Sequence, residues 1–184
     1  MAKDTTHLGL CHYRRRFDID EVQALADMHN FDIVCATPES IGTAGLQFGV
    51  KGQYIAAHNA EDWNLFEDLI RESSIHQQNP EVTDRWMKAI MLFAPCNLVV
   101  VKRSLLDDWC DRMFRVLNDI YEKRIDDIKT RDNYQRRAIG FLAERFTSWY
   151  VTQQALGHSK VVAQVPVPLD ELAKPATAND NRPK

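Results

Sequence analysis

The chain has 184 residues, of which 45% are hydrophobic, enough for one buried core and one domain but too few for two full domains. Its 23 Lys and Arg stand against 26 Asp and Glu, and the formal net charge of -3 excludes a global positive field that would attract nucleic acid or an anionic membrane surface. Any anion site must therefore be local.

Location and redox state follow from what the sequence lacks. No stretch approaches the roughly 20 apolar residues of a membrane span, and the first residues lack the apolar core of a signal peptide. We therefore expect a cytoplasmic protein, for which peripheral contact with the inner face of the membrane stays open. The cysteines occur singly within apolar segments, which is typical of reduced core residues and not of zinc sites: Cys11, Cys35, Cys96 and Cys110.

The first third of the chain predicts strand, helix, strand and a long loop. Apolar segments at residues 7–13 and 31–36 predict buried strands, and Asp18 or Asp20 can cap a helix that runs to about residue 28 between them. This spacing indicates an α/β fold. Residues 39–52 contain three glycines among mixed residues and predict a long irregular loop, of the kind that often binds ligands.

Helical periodicity dominates the remainder of the chain. Residues 97–102, NLVVVK, predict a strand covered on both faces, with parallel neighbours. Pro166 and Pro168 restrict the strand at residues 160–167 to a sheet edge. The domain is expected to span residues 1–172, with a disordered tail at 173–184. Four helices are predicted: near Glu61, from Pro80, from Ser104, and over residues 133–155. A charged linker at 123–132 separates the last two. Their tryptophans, Trp63, Trp86 and Trp109, are expected in the core and not as sugar platforms.

Three consecutive arginines, Arg14 to Arg16, end the first strand in GLCHYRRRF. Ligands of open α/β sheets bind beyond the carboxyl ends of strands, and the planar guanidinium fork grips phosphate oxygens in pairs. The pattern is compatible with a phosphate or diphosphate ligand. A solvated loop that pairs with nearby carboxylates explains the same residues, because runs of charge usually face solvent.

Five separated segments carry a more specific signal: GLCHYRRRF, FDIVCATPESI, QYIAAHNAEDWNLFEDLI, NLVVVKRSLLDDWCDRMFRVL and YQRRAIGFLAERF. In this order they resemble a glycosyltransferase-like domain of unknown function found in bacterial capsular and exopolysaccharide biosynthesis proteins. The resemblance covers about residues 6–165. Ordered agreement at five segments is far more specific than any single motif.

The resemblance implies a glycosyltransferase with a GT-A-like, Rossmann-related α/β fold, in which a mostly parallel sheet is flanked by helices. Some members are galactofuranosyltransferases. The implied partners are a nucleotide-sugar donor and a polysaccharide or glycolipid acceptor, and the oligomeric state stays open. Relatives carry further sequence before the first strand of this chain, so the resemblance also implies a partial domain, truncated at the N-terminus.

The family's His-Tyr-Arg-Arg element matches His12, Tyr13, Arg14 and Arg15, whereas Arg16 stands where relatives usually carry an aromatic residue. Many enzymes of the implied fold place an acidic metal-binding motif after an equivalent strand, but this chain places cations there. We therefore expect Arg14 or Arg15 to neutralise the leaving diphosphate directly. No metal ligand is assigned, no cofactor is implied with certainty, and a requirement for a divalent metal stays open.

The last matching segment offers a carboxylate. Arg137 and Glu144 are two helical turns apart and share a face with Gly140 and Phe141, which suggests that something packs closely there. We expect Glu144 to act as catalytic base or to anchor the acceptor hydroxyl, with Arg137 or Arg145 holding it or the phosphate. The solvated side of an amphipathic helix would show the same spacing.

Two further side chains are candidates. His58 follows a predicted helical turn beside the glycine-containing loop, where its imidazole could bond a sugar hydroxyl or act as a base, although a lone histidine is more often structural. Asn97 opens the most strand-like segment, and its amide could hydrogen-bond to the donor or cap a backbone group. No role is assigned to the remaining histidines: His7, His29, His76 and His158.

Three classes of function compete. The first is sugar transfer from a nucleotide donor. The second is a non-catalytic remnant, or half of a split enzyme, that binds a partner or a sugar nucleotide without turnover. The third, nucleic-acid binding, fares worst, because the net charge is negative and aromatic residues are not interleaved with the basic ones.

Overall fold

A computed structural model describes residues 6–10, 15–17, 29–92, 94–157, 159–164 and 166–168. The predicted helix at 18–28, the tail at 173–184 and Cys11 lie outside the described residues, so those predictions and the domain boundary remain predictions. The described residues form a helix-rich α/β fold with a mixed sheet.

Four strands form the main sheet in the order β1, β6, β3, β7. They are β1 (His7–Leu10), β3 (Ile33–Ala36), β6 (Val99–Lys102) and β7 (Val161–Gln164). Apolar residues, β-branched in β3, β6 and β7, explain why the sequence predicted strands in these segments, and all four strands are confirmed. The bounds are shorter than predicted, and Asn97 does not open β6 but ends the 3-10 turn Pro95–Asn97 that precedes it. The edge position predicted for the last strand holds for β7.

The prediction of a mostly parallel sheet is wrong for the described strands. Strand β6 pairs antiparallel with both β1 and β3, whereas β3 pairs parallel with β7. An apolar run reports burial on both faces, and antiparallel strands can be buried on both faces as well. Here one face of β3 contributes Ile33 and Cys35 to the main core, and the other contributes Val34 and Ala36 to a second cluster.

The second cluster places another strand against the sheet. Strand β2 (Arg15–Phe17) pairs antiparallel with β8 (Pro166–Pro168). Phe17 is buried in the cluster that contains Ala36 and Leu98. The backbone of β2 therefore lies close to the carboxyl end of β3 and to the residue that precedes β6.

Residues 39–52 do not form the predicted irregular loop. After the short strand β4 (Glu39–Ser40), which pairs with β5 (Met91–Leu92), helix α1 (Gly42–Ala57) begins and is kinked at Gly49. Gly49 has φ 71° and ψ -170°, a conformation that is open essentially only to glycine. A Cβ there would lie 2.4 Å from the carbonyl oxygen of Met87. The glycine therefore permits a close helix contact and does not mark a loop.

The next helices follow the predicted periodicity. Helix α2 (Ala60–Glu72) begins at Asn59, whose side chain accepts from the backbone N–H of Glu61 at 2.8 Å. It is followed by the short α3 (Ser74–Gln78) and by α4 (Pro80–Met87), which has proline in its first turn, as predicted. Trp63, Trp86 and Trp109 are fully buried, which confirms their assignment to the core.

The predicted charged linker at 123–132 is instead mostly helical. Helix α5 runs from Arg103 to Thr130, and Ile128 is buried on it. Its last turns carry ion pairs to Asp62, which is completely buried on α2. Arg124 Nε lies 3.1 Å and Arg131 Nη2 lies 2.8 Å from Asp62 Oδ1, and Arg131 Nη1 contacts Oδ2. These charges belong to a tertiary contact that periodicity could not reveal.

A short 3-10 turn (Gln135–Arg137) separates α5 from α6 (Ala138–Leu156), so Arg137 precedes the helix on which the sequence placed it. Helix α6 is buried on most sides and packs against α5, α4 and the turn before β6. It is thus the central helix of the described fold and not an amphipathic surface helix.

A polar network joins α4 to α6 inside this packing. The Thr83 hydroxyl, completely buried, lies 3.0 Å from Trp149 Nε1, 3.0 Å from Gln153 Nε2 and 2.9 Å from His76 Nδ1. One hydroxyl therefore satisfies polar atoms of three other side chains, which fixes how the two helices and α3 sit together.

Cys35, Cys96 and Cys110 are free thiols, as expected. Burial raises the pKa of Cys35 to about 11, which makes it a structural and unreactive residue. No helix of the described part is long and apolar enough to cross a membrane. Among the described residues, His, Cys, Asp and Glu side chains form no group of three or more that could hold a metal ion.

Candidate active site

His58 ends helix α1 and lies against α6. Its backbone N–H donates to the Tyr54 carbonyl at 2.8 Å, which fixes the end of the helix. Its ring stacks on Phe141, with centroids 4.3 Å apart and planes at 22°. Burial lowers the pKa of His58 and the nearby Arg145 lowers it further, although the bond to Gln135 opposes both. The imidazole is therefore neutral near pH 7.

Gln135 connects the turn before α6 to His58. Its Nε2 donates to the Ala57 carbonyl at 2.9 Å, and its Oε1 lies 3.2 Å from His58 Nδ1. Asp132 shapes this turn, because its Oδ1 accepts from the backbone N–H groups of Tyr134 and Gln135 at 2.8 and 2.9 Å. Sequence analysis missed Gln135, although it lies in the matching segment YQRR.

Arg145 is 6% exposed and bridges the two helices. Its Nη2 donates to Gln53 Oε1 at 2.9 Å, and its Nη1 donates to the Phe141 carbonyl at 3.2 Å and to Glu144 Oε2 at 3.4 Å. Burial lowers the pKa of Arg145 and the Glu144 carboxylate opposes this shift, so the guanidinium stays charged near pH 7. Sequence analysis could not find the Gln53 contact, because 92 positions separate the two residues.

The guanidinium of Arg145 also lies over the Tyr54 ring, 5.6 Å from its centroid. Arg145 Nε and Tyr54 Oη are buried without a hydrogen-bond partner among the described residues. Burial raises the pKa of Tyr54, so its hydroxyl stays protonated. The interior side of the site thus holds a buried cation, and within the described part of the chain the carboxylate that hydrogen-bonds to it is that of Glu144, at 3.4 Å.

Glu144 and Arg137 lie where α6 approaches the surface. Glu144 has a side chain 30% exposed, and Arg137 is exposed with its guanidinium 5.3 Å from the Phe141 ring centroid. No described residue packs closely on Gly140, because a Cβ built there meets nothing within 4 Å. The close packing suggested by this glycine is therefore not found within the described part of the chain. Phe141 marks the site for a different reason, since it is buried and stacks on His58.

Asn97 reaches the same helix from the 3-10 turn (Pro95–Asn97) that precedes β6. Its Oδ1 accepts from Thr147 Oγ1 at 2.6 Å, and Thr147 lies one turn beyond Glu144 on α6. Asn97 and its neighbours Ala94 and Cys96 have positive φ angles of 56°, 47° and 61°. Left-handed backbone at non-glycine residues costs about 1 kcal/mol or more per residue, so the surrounding structure must hold this turn.

The arginines of the first segment are only partly described. His12, Tyr13 and Arg14 lie outside the described residues, and Arg15 is described as the first residue of β2 without its side chain. Strand β2 packs through Phe17 against Leu98, the residue after Asn97. This cluster lies on the face of the sheet opposite the main core, whereas Asn97 bonds to Thr147 on α6, which packs in the main core. Whether these arginines reach the site stays a prediction.

The surface grooves in the described part of the chain include three with volumes of about 490, 730 and 410 Å³. The largest lies between α1, α2 and α4 and includes Phe48, Ile55 and Met87. None of the three is lined by His58, Glu144, Arg145 or Asn97. The candidate site is therefore a cluster of side chains around the contact of α1 with α6.

Comparison with curated proteins found no match. Among solved structures, the apo structure of the bifunctional glycosyltransferase WbbM is similar, with a TM-score of 0.66 and 18% sequence identity. The match covers 88% of this chain and 33% of that one, so this chain spans about a third of its length. The fold is therefore like that of a glycosyltransferase. The model of DUF4422, a domain family of unknown function, matches residues 2–155, and the chain belongs to this family.

Proposed function

We propose that this chain is a glycosyltransferase that moves a sugar from a nucleotide-sugar donor to a polysaccharide or glycolipid acceptor. The fold similarity to WbbM supports the transferase class. A hexosyltransferase of GT-A-like ancestry, acting at the cytoplasmic side of capsule or exopolysaccharide synthesis, fits the sequence resemblance, with galactofuranose as a candidate sugar.

The observation that carries the proposal is the convergence of candidates from separate segments on one helix. His58 stacks on Phe141, and Glu144 lies one turn further along α6, bonded to the buried Arg145. Asn97 reaches the next turn through Thr147. A neutral imidazole, a carboxylate and a buried cation in one cluster are the groups that an acyl, phosphoryl or glycosyl transfer site needs.

In the proposed reaction the acceptor hydroxyl oxygen attacks the anomeric carbon of the donor. Its proton passes to His58, while the Glu144 carboxylate anchors the acceptor through hydrogen bonds to its hydroxyl groups. The bond between the anomeric carbon and the diphosphate oxygen breaks, and the diphosphate leaves with the electron pair. Neutral His58 can accept the proton, and the Glu144 carboxylate, bonded to Arg145, can accept hydrogen bonds from sugar hydroxyls.

The leaving diphosphate needs positive charge. Arg137 is exposed beside the cluster, and Arg14 and Arg15 of the family-matching element are the other candidates. We propose that these guanidinium groups bind the phosphate oxygens. Because the net charge of the chain is -3, this local supply of cations would be the main attraction for an anionic donor.

A second candidate function is binding of a sugar nucleotide without turnover. A substrate cavity of ordinary depth around His58 and Glu144 would favour the enzyme.

One experiment separates the two functions. Thermal unfolding is measured with a panel of nucleoside diphosphate sugars, and release of the nucleoside diphosphate is followed with and without glycan acceptors. The enzyme hypothesis expects a donor that raises the melting temperature and is turned over. Glu144→Gln and His58→Gln should keep this stabilisation and lose about 100-fold or more of turnover. The exposed residues Glu122 and His29 supply matched controls, as Glu122→Gln and His29→Gln.

The outcomes decide as follows. Stabilisation by a donor without turnover supports the binding module and rejects the enzyme. Wild-type turnover in both Glu144→Gln and His58→Gln rejects the assigned roles. Arg14→Ala should abolish stabilisation by the donor, and a protein that responds to no donor rejects both functions.

A further inference from the structure

The orientation of one amide at the candidate site determines which nitrogen of His58 carries the proton. Gln135 Nε2 lies 2.9 Å from the Ala57 carbonyl oxygen, which can only accept a hydrogen bond. The nitrogen of the amide must therefore face Ala57, because the opposite orientation would bring two acceptor oxygens together. Oε1 then faces His58 Nδ1, at 3.2 Å.

An amide oxygen accepts and does not donate, so the bond between His58 and Gln135 requires a hydrogen on Nδ1. A neutral imidazole carries one N–H only, and the lone pair then belongs to Nε2. Aromatic neighbours restrict the plane of the ring, because His58 stacks on Phe141 at 4.3 Å and on Tyr134 at 5.8 Å, and these two rings contact each other at 5.0 Å. A half-turn of the ring would keep the stacking but would place a carbon in the position of Nδ1, so the hydrogen bond to Gln135 selects the orientation.

We propose that Gln135 is a positioning residue that holds His58 as the Nδ1–H tautomer, so that Nε2 is the base of the site. This inference rests on the proposed function, since it specifies how His58 takes the proton. When the acceptor O–H bond breaks, the proton joins the Nε2 lone pair, and the oxygen electron pair forms the new bond to the anomeric carbon. The imidazolium keeps its Nδ1–H on Gln135 until Nε2 returns the proton to solvent.

The choice of a neutral amide over a carboxylate has a chemical consequence. A carboxylate at position 135 would stabilise the imidazolium, so that His58 would already be protonated when the substrate binds. Other charged groups oppose one another at this ring, since the charge of Arg145 lowers and that of Asp62 raises the pKa of His58. Arg137 lies over the Phe141 ring on which His58 stacks, and the Tyr54 ring is 4.7 Å away with a phenol that stays neutral. Gln135 therefore orients the base without protonating it.

Nitrogen-15 NMR of the labelled full chain tests the tautomer directly, without an assay of activity. The chain contains six histidines, and loss of one set of ring signals in His58→Gln assigns His58. In the wild-type protein at alkaline pH we expect the protonated ring nitrogen to be Nδ1 and the unprotonated one Nε2. The opposite pattern would overturn the proposal.

Two variants test the role of the amide, and each is compared with the wild type for intact folding by circular dichroism. Gln135→Leu should shift His58 toward the Nε2–H tautomer and lower turnover about 10-fold or more. Gln135→Glu should keep the Nδ1–H tautomer and raise the NMR titration midpoint of His58 by about one pH unit, with a matching shift of the acidic limb of the pH–rate profile. The exposed residue Gln78 supplies the control Gln78→Glu, which adds the same charge elsewhere.

An unchanged tautomer in Gln135→Leu, or equal midpoints in Gln135→Glu and Gln78→Glu, would overturn the positioning role. Failure of the proposed function gives a different pattern. If the NMR results are as expected but the wild-type protein neither transfers a sugar nor hydrolyses a donor, the role of Nε2 as a base is rejected and the tautomer assignment stands.

Discussion

Replacement of the buried carboxylate Asp62 by asparagine should destabilise the protein strongly. Asp62 is 0% exposed, and three N–H groups of Arg124 and Arg131 point at its two oxygens. Asparagine has nearly the same shape, but it removes the charge and converts one acceptor oxygen into an NH₂ group. That group would face a guanidinium N–H, so two donors would meet in the interior.

The magnitude follows from what is left behind. Arg131 has a side chain only 10% exposed, and Arg124 is 19% exposed, so both guanidinium groups would keep their charge with little access to water. Removal of one partner from a buried ion pair typically costs about 3–5 kcal/mol. For a chain of this length each kcal/mol lowers the melting temperature by about 2–4 °C, so we expect a loss of about 6–20 °C.

Urea and thermal unfolding, followed by circular dichroism, measure this change. Asp127 supplies the matched control, since it pairs with the same two arginines but its side chain is 46% exposed. Asp127→Asn should therefore cost much less than Asp62→Asn, because water replaces the lost contacts. If the two variants unfold together, or if Asp62→Asn lies within about 1 kcal/mol of the wild type, the reasoning from burial is wrong.

Three further predictions concern packing and pH. Gly49→Ala should destabilise the protein by about 1–3 kcal/mol, because only glycine readily adopts the backbone conformation at this position. Gly140→Ala should stabilise it by up to about 1 kcal/mol, because Gly140 lies on a helix with open space around it. Thermal melts in which both variants shift the melting temperature in the same direction would contradict this. Thr83→Val should lower the free energy of unfolding by about 2–5 kcal/mol, because it leaves buried polar atoms of His76, Trp149 and Gln153 without a partner. Thr83→Ser keeps the hydroxyl and should cost clearly less. Equal urea midpoints for the two variants would contradict the role of the Thr83 hydroxyl. Burial lowers the folded-state pKa of His58 and His76, so below the ordinary value of 6.5 only the unfolded chain takes up their protons. Unfolding free energy should therefore fall as the pH drops below about 6.5, and His76→Gln should reduce this slope.

The sequence predicted the elements whose signal is local. β-branched residues at 33–36 and 99–102 identify two central strands, and the 3–4 rhythm of Trp63, Phe66 and Ile70 identifies the buried face of α2. Strand direction was not predictable, since the Val99–Val101 run looks the same beside parallel and antiparallel partners. Both the apolar run at 97–102 and the resemblance supplied the parallel expectation, which the antiparallel pairing of β6 with β1 and β3 contradicts.

Two segments were wrongly predicted to be loops for the same reason. Gly49 and the charged residues at 123–132 suggest loops when each is considered locally, yet both belong to contacts between helices that are distant in sequence. Gly49 lets α1 approach the Met87 carbonyl, and Arg124 and Arg131 hold α5 to Asp62. A contact that spans more than about 60 positions has no signature within a window of ten residues.

The candidate site shows the same limit. His58, Glu144 and Arg145 were predicted individually because their segments match a family, and the structure brings them together around Phe141. Gln135 and Gln53 were not predicted, because a glutamine in a polar segment carries no signal of its own. Each matters only through a partner at a distance of 77 or 92 positions.

The Asp62 ion pairs and the His58 site are mechanically connected through one turn. Arg131 ends α5, and its carbonyl oxygen accepts from Arg136 Nε at 2.8 Å, which holds the turn that presents Gln135 to His58. Asp62→Asn would loosen the anchor of Arg131 and so the position of the amide. It would also remove the charge that raises the pKa of His58. Both effects act on His58, so the proposed base is coupled to a fold anchor more than 70 positions from Gln135 in the chain.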